Sequence, residues 1–528
     1  MTTSASTPSL LPAMKRRILF GLLSLPITLH AQSVHPNVLI SVRNSPNETA
    51  IAINPKNTQE LIAGANLNNQ YTSLDGGRTW TWRTLTSPYS VWGDPCVVVD
   101  TTGAFYYFHL SNPNATSFID RLVVQQQPTA SSAFRYRSYF GLNTPKQQDK
   151  EWVAIDRKTN ALYVTWTEFD QYGSFSPRDS SRIMFSSSQD QAQTWSRPKR
   201  LSFYSGNAVD EDETVEGAVP TVGPNGEIYT AWAGPRGIVF NRSLDRGQTW
   251  LPRERTIVSQ PGGWDYAVPG IYRANGLPVT ACDVSPGPHR GNLYVNWTDQ
   301  RNGPTDTDVW LARSTDGGQT WSAPIRVNDD PPGRHQFFTW MTIDQKTGYL
   351  WFVFYDRRHH ADTSTDVYAA RSTDGGQTFQ NFRLSQTPFT PNQNVFFGDY
   401  TNITAHNNVV RPVWTRLDNT QSSVWTALID ATVLSAGKPG ALPAMTLQSY
   451  PNPAAHTLHL ALELPAAALT HIELRTPTGR LVRTALHQHL PAGHQQLSVP
   501  VQDLAAGVYL LEVKVGSNSL HRRVTVLH

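Results

Sequence analysis

One eight-residue pattern, S-x-D-x-G-x-T-W, occurs five times in this chain of 528 residues and constrains its fold more than any other feature. Its clearest copy spans residues 314–321, and the others span residues 73–80, 188–195, 243–250 and 372–379. Two copies depart from the pattern, because Ala192 occupies the glycine position and Phe379 replaces the tryptophan. A single copy would be weak evidence, whereas five copies indicate an internal repeat.

The residue types of the pattern suit a tight turn between two strands. Asp and Ser side chains bond nearby backbone amides, Gly adopts positive φ without steric cost, and Trp anchors in the adjacent apolar layer. We therefore interpret the aspartates as structural rather than catalytic; they are Asp75, Asp190, Asp245, Asp316 and Asp374.

A longer unit surrounds these turns. An aromatic-rich strand such as residues 293–301 or 350–358 recurs, with seven starts at residues 61, 105, 162, 228, 293, 350 and 410. Each is preceded by another short strand, and seven such units fit the four-stranded blades of a β-propeller. The seventh unit lacks an outer strand, which residues 38–42 could supply by pairing the two ends of the ring. If the irregular second unit, residues 93–140, is not a blade, the count is six.

The turns resemble the Asp-box, or bacterial neuraminidase, repeat found in sialidases and other β-propellers. The resemblance implies an all-β propeller over residues 32–434 and a glycoside hydrolase of the exo-α-sialidase type. Sialidases carry an arginine in an F/Y-R-I-P motif on the first inner strand, where residues 47–50 of this chain read NETA. The alternatives are a non-catalytic propeller that binds glycan or protein at the cell surface, and a glycosidase of different chemistry with two facing carboxylates.

In a propeller, the start of each inner strand and the end of each second strand lie on one face, opposite the Asp boxes. Carboxylates there are the usual equipment of glycoside hydrolysis, sialidases use a tyrosine nucleophile, and arginines bind the carboxylate of an acidic sugar. The hypothesis is action on terminal acidic sugars of a glycan or glycoprotein. Its catalytic candidates are Asp94, Asp149, Asp399 and Tyr400, and its substrate-binding candidates are Arg301, Arg357, Arg416, Asp299, Asp356 and Glu216.

No cofactor or metal is expected. Asp306 and Asp308, with Asn302, offer oxygen atoms that could ligate a structural Ca²⁺, although a solvated loop is the favoured interpretation. The two cysteines, Cys96 and Cys282, lie in distant repeats and are expected to be buried free thiols. A net charge of +3 is too small to argue for a nucleic-acid partner.

The amino terminus predicts export. Residues 14–17 are basic and precede the apolar run 18–29, so residues 1–31 are interpreted as a signal peptide. The run is shorter than the roughly 20 residues that span a bilayer, and no membrane span is expected in the mature chain.

Composition shifts near residue 435. Residues 435–445 predict a linker rich in Gly and Pro, and alternating strands over 446–528 predict a small β-sandwich. Its motifs YPNP (450–453), TGRLV (478–482) and LAAGVY (504–509), with a basic last strand, resemble the sorting domain of the Bacteroidetes type IX secretion system. The resemblance implies that the type IX machinery is a partner and that the protein passes through the periplasm to be secreted or attached to the cell surface. An accessory, carbohydrate-binding sandwich is the alternative.

Overall fold

The computed structural model describes residues 35–113, 119–430, 446–464, 467–477, 480–491, 493–515 and 518–527. The regular elements of these ranges are β-strands, and they contain no helix long and apolar enough to cross a membrane. The predicted signal peptide (1–31) and linker (435–445) lie outside the described residues. The chain divides into two compact units, one within Met1–His406 and Arg411–Ile429 and the other within Asn407–Val410 and Asp430–His528.

The first unit contains seven antiparallel sheets, each built on four strands. In six of these sheets the strands lie side by side in chain order. Strand β1 (Asn37–Ser41) belongs to the seventh sheet, and the first three sheets each take four consecutive strands after it. The first sheet contains β2 (Ala50–Ile53), β3 (Leu61–Ala65), β4 (Asn69–Ser73) and β5 (Thr81–Thr84). The second contains β6 (Gly93–Val99), β7 (Phe105–Ser111), β8 (Arg121–Gln127) and β9 (Arg135–Phe140), and the third contains β10 (Gln147–Ile155), β11 (Leu162–Phe169), β12 (Ser181–Ser188) and β13 (Lys199–Arg200).

The next three sheets repeat this order, with a two-stranded hairpin between the fourth and the fifth. The strands are β14 (Glu216–Val222), β15 (Ile228–Ala233), β16 (Ile238–Ser243) and β17 (Arg255–Val258); the hairpin β18 (Asp265–Tyr266) and β19 (Ala274–Asn275); β20 (Val279–Cys282), β21 (Leu293–Asp299), β22 (Asp308–Ser314) and β23 (Ile325–Arg326); and β24 (Gln336–Ile343), β25 (Leu350–Asp356), β26 (Asp366–Ser372) and β27 (Gln380–Arg383).

The seventh sheet joins the two ends of the unit. It contains β28 (Asn402–His406), β29 (Val409–Asp418) and β30 (Gln421–Ala427), with β31 (Ile429–Asp430) paired to β29. Its outer strand is β1, which pairs antiparallel with β30 through Asn37 and Ala427, so the expected closure by residues 38–42 is confirmed. The sequence repeat at residues 93–140, expected to be irregular, forms the four-stranded sheet β6 to β9.

The seven sheets are arranged in a ring, because each inner strand packs against the inner strand of the next sheet and β28 packs against β2. The second strands are sandwiched between neighbouring sheets, and every residue of β25, from Leu350 to Asp356, is buried. Their aromatic and β-branched composition suits such two-sided burial. The all-β propeller class predicted from the repeats is therefore confirmed.

The repeated turns follow the third strand of five sheets. In the copy at 314–321, the Ser314 hydroxyl accepts the Gly318 amide at 2.8 Å, and Asp316 Oδ1 accepts the amide of Thr320 at 3.0 Å. Hydrogen bonds from Thr320 hold the pKa of Asp316 below its ordinary value. Gly318 has φ +79°, and a Cβ there would lie 2.3 Å from the Phe240 ring, so both backbone and space require glycine. Asp75, Asp190, Asp245 and Asp374 accept the equivalent amides.

The second unit is a two-sheet β-sandwich. One sheet is ordered β32 (Thr446–Tyr450), β33 (Thr457–Leu464) and β36 (Gly493–Pro500); the other is ordered β35 (Leu481–Leu490), β34 (Ala468–Arg475), β37 (Gly507–Val515) and β38 (Asn518–Val526). Leu458, Leu460, Ile472 and Leu511 are among the buried residues that form its apolar core. The expected sandwich is present, and β32 and β35 are strands that the sequence pattern did not predict.

Both cysteines, Cys96 and Cys282, are buried and free, as expected. Each lies on an inner strand of the propeller, β6 or β20.

Candidate functional site

Backbone irregularities mark the starts of the inner strands. Glu48, Asp94 and Lys150 each have a φ of +49°, and the register of β10 against β11 shifts between Asp149 and Trp152. Comparable shifts occur in β6, β14 and β24. A left-handed conformation costs a non-glycine residue about 1–2 kcal/mol, and bulges re-aim side chains next to functional sites. Polar residues thus sit at strained positions on one end of the central channel.

Two cations are bound to one buried aspartate at this end of the channel. Lys150 Nζ lies 3.1 Å from Asp399 Oδ2, and Arg273 donates through Nε at 2.8 Å and through Nη2 to the same carboxylate. Asp399 is 3% exposed. Its burial alone would raise its pKa, but Lys150 and Arg273 hold the pKa below the ordinary value. Asp399 is therefore an ionised anchor that fixes both cations.

Further carboxyl groups lie around Asp399. Lys150 Nζ lies 3.9 Å from Asp94 Oδ2, and Arg273 Nη1 lies 3.4 Å from Asp210 Oδ2. Asn66 donates from Nδ2 to Glu48, and its Oδ1 accepts the Asp94 amide at 2.6 Å.

The buried carboxyls of the cluster have high proton affinities. Burial, followed by the charge of Asp94, raises the pKa values of Glu48 and Glu151. Burial, followed by the charge of Asp210, raises the pKa of Glu216, whose two oxygens lack a donor among the described residues. Burial raises the pKa of Asp149 to about 7, against the opposing attraction of Lys150. The end of the channel thus combines carboxyl groups whose pKa values are raised with Asp399, whose pKa is lowered.

Three aromatic rings pack together beside this cluster. The ring centroid of Trp152 lies 4.4 Å from that of Trp340 and 5.2 Å from that of Tyr400. Burial raises the pKa of the Tyr400 hydroxyl, and the charge of Asp94 adds to this effect. A pocket of about 30 Å³, close to the volume of one water molecule, is lined by Lys150, Asp399, Tyr400 and both tryptophans.

Several residues expected at the site are bound elsewhere. Arg301 donates from Nε to Asp299 at 2.8 Å, so these two neutralise each other at the end of β21. Arg357 donates to the Pro269 carbonyl at 2.6 Å, and Arg416 donates from Nε to Asp418 at 2.6 Å.

Asp356 belongs to a separate network at the end of β25. Its Oδ2 accepts from Arg358 Nε at 2.8 Å. Burial raises the pKa of Asp356 to about 6, although Arg358 opposes this.

The cluster unites five of the expected residues, Asp94, Asp149, Glu216, Asp399 and Tyr400, with others that were not predicted to be site residues, among them Lys150, Asp210 and Arg273. Lys150 lies between two acidic residues at an inner-strand start, which is a signal that could have identified it. Asp210 lies in an acidic loop, residues 210–213. Arg273 lies in the hairpin between two sheets, and no motif marks it.

No group of three His, Cys, Asp or Glu side chains within the described ranges is arranged to hold a metal ion. Of the residues considered for Ca²⁺, Asn302 donates to Asp308 Oδ2 at 2.6 Å, and the Arg334 amide donates to Asp306 at 3.2 Å.

Comparison with known proteins gives two family matches. Residues 312–323 match the BNR/Asp-box repeat, and residues 448–527 match the secretion system C-terminal sorting domain. No curated protein matches the chain significantly.

The propeller is similar to several solved structures at low identity. A Hadza microbial sialidase is 14% identical over 71% of this chain and 74% of its own, with a TM-score of 0.41. An α-L-arabinofuranosidase from Fusarium graminearum is 11% identical over 76% and 99%, with a TM-score of 0.42. Trypanosoma rangeli sialidase in complex with sialic acid is 12% identical over 83% and 89%, with a TM-score of 0.39.

The carboxyl-terminal match identifies how the protein leaves the cell. Residues 448–527 are a sorting domain of the type IX secretion system, and this domain indicates secretion and attachment to the cell surface. The chain is therefore a secreted Asp-box propeller with a carboxyl-terminal sorting domain.

Proposed function

We propose that the propeller is a glycoside hydrolase in which Asp149 is the general acid and Asp94 is the facing carboxylate. The supporting observation is the pair itself, a buried carboxyl whose pKa burial raises to about 7 beside a carboxyl that solvent reaches. Most glycoside hydrolases need one protonated and one ionised carboxyl on either side of the scissile bond. An environment that raises the pKa of one carboxyl can supply the protonated member of such a pair.

Asp149 is suited to protonate a leaving group. Its Oδ1 accepts the Lys150 amide at 2.9 Å, which fixes the carboxyl and leaves Oδ2 for the proton. A general acid is most effective when its pKa is close to the working pH. Hydrolysis is therefore expected to fall as the pH rises above about 7, because Asp149 then loses its proton.

Asp94 is suited to act on the sugar or on a water molecule. Its side chain is 16% exposed, against 3% for Asp399. Asn66 holds its backbone at the bulge, and the Lys150 ammonium 3.9 Å away restrains its carboxylate. Asp399 is less suited, because two cations already occupy its oxygens.

The charge of the cluster favours a neutral terminal sugar over an acidic one. Lys150 and Arg273 are committed to Asp399, and Arg301, Arg357 and Arg416 are bonded to other groups. A sugar carboxylate would approach Asp94 and Asp210, and the two cations that the described residues place in the cluster are already paired with carboxylates, so like charges at short range repel. Protonated carboxyls can instead donate hydrogen bonds to sugar hydroxyls.

The test is hydrolysis of fluorogenic glycosides by the full chain, with neutral pyranosides and furanosides beside a sialoside. We expect turnover of a neutral glycoside, reduced by about 10²–10⁴-fold in Asp149→Asn and in Asp94→Asn. Asp503→Asn, an exposed change in the sandwich, is the control and should hydrolyse at the parent rate.

Two results would contradict the proposal. Preference for the sialoside would restore the acidic-sugar hypothesis. Absence of turnover on every substrate would exclude catalysis on this panel and favour the non-catalytic glycan- or protein-binding propeller, which a glycan array would then test.

A further inference from the structure

The Asp-box end of the channel contains a second cavity, of about 600 Å³. Its walls come from the inner strands, and the lining residues one position before the strand ends, or two positions in β28, are small. They are Ala52, Val98, Ala154, Thr221, Ala281, Thr342 and Thr404. This volume lies within the range of small-molecule sites, about 300–1,000 Å³.

This cavity is closed toward the carboxyl cluster. Trp152 and Trp340 line both cavities, and Tyr400 packs against both rings, with centroids 5.2 Å and 6.2 Å away. The three rings separate the larger cavity from Asp399 and Lys150. An occupant must therefore enter from the Asp-box end, which favours a small molecule over a polymer that threads the channel.

The rim of the cavity is cationic. Five lining residues carry a positive charge and are exposed: Lys56, Arg157, Lys158, Arg290 and Lys346. They come from the turns of the first, third, fifth and sixth sheets. Cations that converge on one cavity from four sheets are not explained by a single charged loop.

Among the described residues that line the cavity, Asp156 alone carries a carboxyl group, and the aspartates of the neighbouring turns are buried in turn hydrogen bonds. Asp156 Oδ1 accepts the Lys158 amide at 2.7 Å, and Asp344 Oδ1 accepts the Lys346 amide at 2.9 Å. Asp100 and Asp283 bond their own turns in the same way. The charged side chains exposed at the rim are therefore mainly lysine and arginine, with the half-buried Glu227 of the fourth sheet near Lys158.

The charges of two of these cations, Arg157 and Lys346, act on one buried residue of the seventh sheet. His406, at the end of β28, lines the cavity and is 5% exposed. Burial lowers its pKa and the charge of Arg157 lowers it further, while the charge of Asp344 raises it and that of Lys346 lowers it. Side chains of the third and sixth sheets thus reach the same region of the rim as the seventh.

We propose that the Asp-box end of the channel is a binding site for a small anionic molecule, distinct from the carboxyl cluster. A phosphate, sulfate or carboxylate group lies at the rim, where lysine and arginine bind such oxyanions. The remainder of the molecule occupies the channel against its small side chains. This site needs no catalytic step and is independent of the proposed hydrolase activity.

The test is calorimetric titration of the full chain with inorganic pyrophosphate at low salt. We expect saturable binding of one anion per chain, weakened about tenfold or more in Arg157→Ala/Lys346→Ala. The matched control is Arg83→Ala/Arg135→Ala, which removes two exposed arginines from the outer strands β5 and β9. A second variant, Ala281→Phe, fills the channel and keeps the rim charges.

Binding that is lost in both the rim and the channel variants but kept in the outer-strand control supports the site. Equal loss in the rim variant and the control would show general charge attraction and overturn it. Unchanged binding in Ala281→Phe, or no saturable binding by the parent chain, would also overturn it. Thermal unfolding of each variant checks that the fold is retained.

Discussion

Replacing Asp149 with Asn should stabilise the propeller in alkaline solution and not in acid. The buried carboxyl has its pKa raised from 3.8 to about 7, so between these values the folded chain holds a proton that the unfolded chain has released. Stability then falls as the pH rises through this window and is flat above it. Asn resembles the protonated carboxyl in shape and does not ionise.

The magnitude follows from the shift in proton affinity. Each tenfold change in affinity corresponds to about 1.4 kcal/mol, so ionising Asp149 costs the folded state on the order of 4 kcal/mol above pH 7. Glu48, Glu151 and Glu216 also have raised pKa values, and the charge of Asp149 contributes to those of Glu151 and Glu216. The substitution therefore removes the ionisation of Asp149 together with its repulsion of these two neighbours.

The assay is urea unfolding of the propeller transition in the full chain at pH 4.5 and pH 8.5. The unfolding free energy of Asp149→Asn relative to the parent should rise by roughly 2–4 kcal/mol between the two values. The exposed Asp418→Asn, at the end of β29, is the control and should give a small change. The same difference between Asp149→Asn and the parent at both pH values would refute a buried, protonated Asp149.

Two further substitutions test the turns and the cation pair. The loss of unfolding free energy should be larger for Gly318→Ala than for Gly173→Ala, by at least about 2 kcal/mol. The φ values of the two glycines are alike (+79° and +74°), but of the two only Gly318 faces a ring. Equal losses in denaturant unfolding would contradict this. Arg273→Ala should destabilise the propeller by about 2 kcal/mol, because Asp399 keeps only Lys150. An unchanged melting temperature, as expected for the exposed Arg83→Ala, would show that Arg273 does not hold Asp399.

The architecture was predictable because its signals are local and repeated. Aromatic second strands and Asp-box turns recur in nearly every unit, and the missing outer strand of the seventh unit pointed to residues 38–42, where β1 lies. The sandwich strands β32 and β35 were missed. The YPNP motif overlaps the end of β32 and the TGRLV motif overlaps the start of β35, and these residues resemble family motifs more than they resemble an alternating strand pattern.

The candidate site was only partly predictable, because its members depend on contacts that sequence spacing does not encode. The face could be inferred from propeller topology, and it brought Asp94, Asp149 and Asp399 together. Arg301 was expected to bind substrate, but Asp299 lies two residues away and within reach of its guanidinium. One of the two cations beside Asp399 is Arg273, which comes from 126 residues earlier in the chain, on a hairpin without a recognisable motif.

The measurement that tests the central claim most directly is the leaving-group dependence of hydrolysis by Asp149→Asn. A general acid is needed for a poor leaving group and is dispensable for a strongly acidic one. The variant should therefore lose about 10²–10⁴-fold in kcat/KM on an alkyl glycoside while keeping most of the parent rate on the dinitrophenyl glycoside of the same sugar. An equal loss on both substrates would contradict the assignment of Asp149 as the acid.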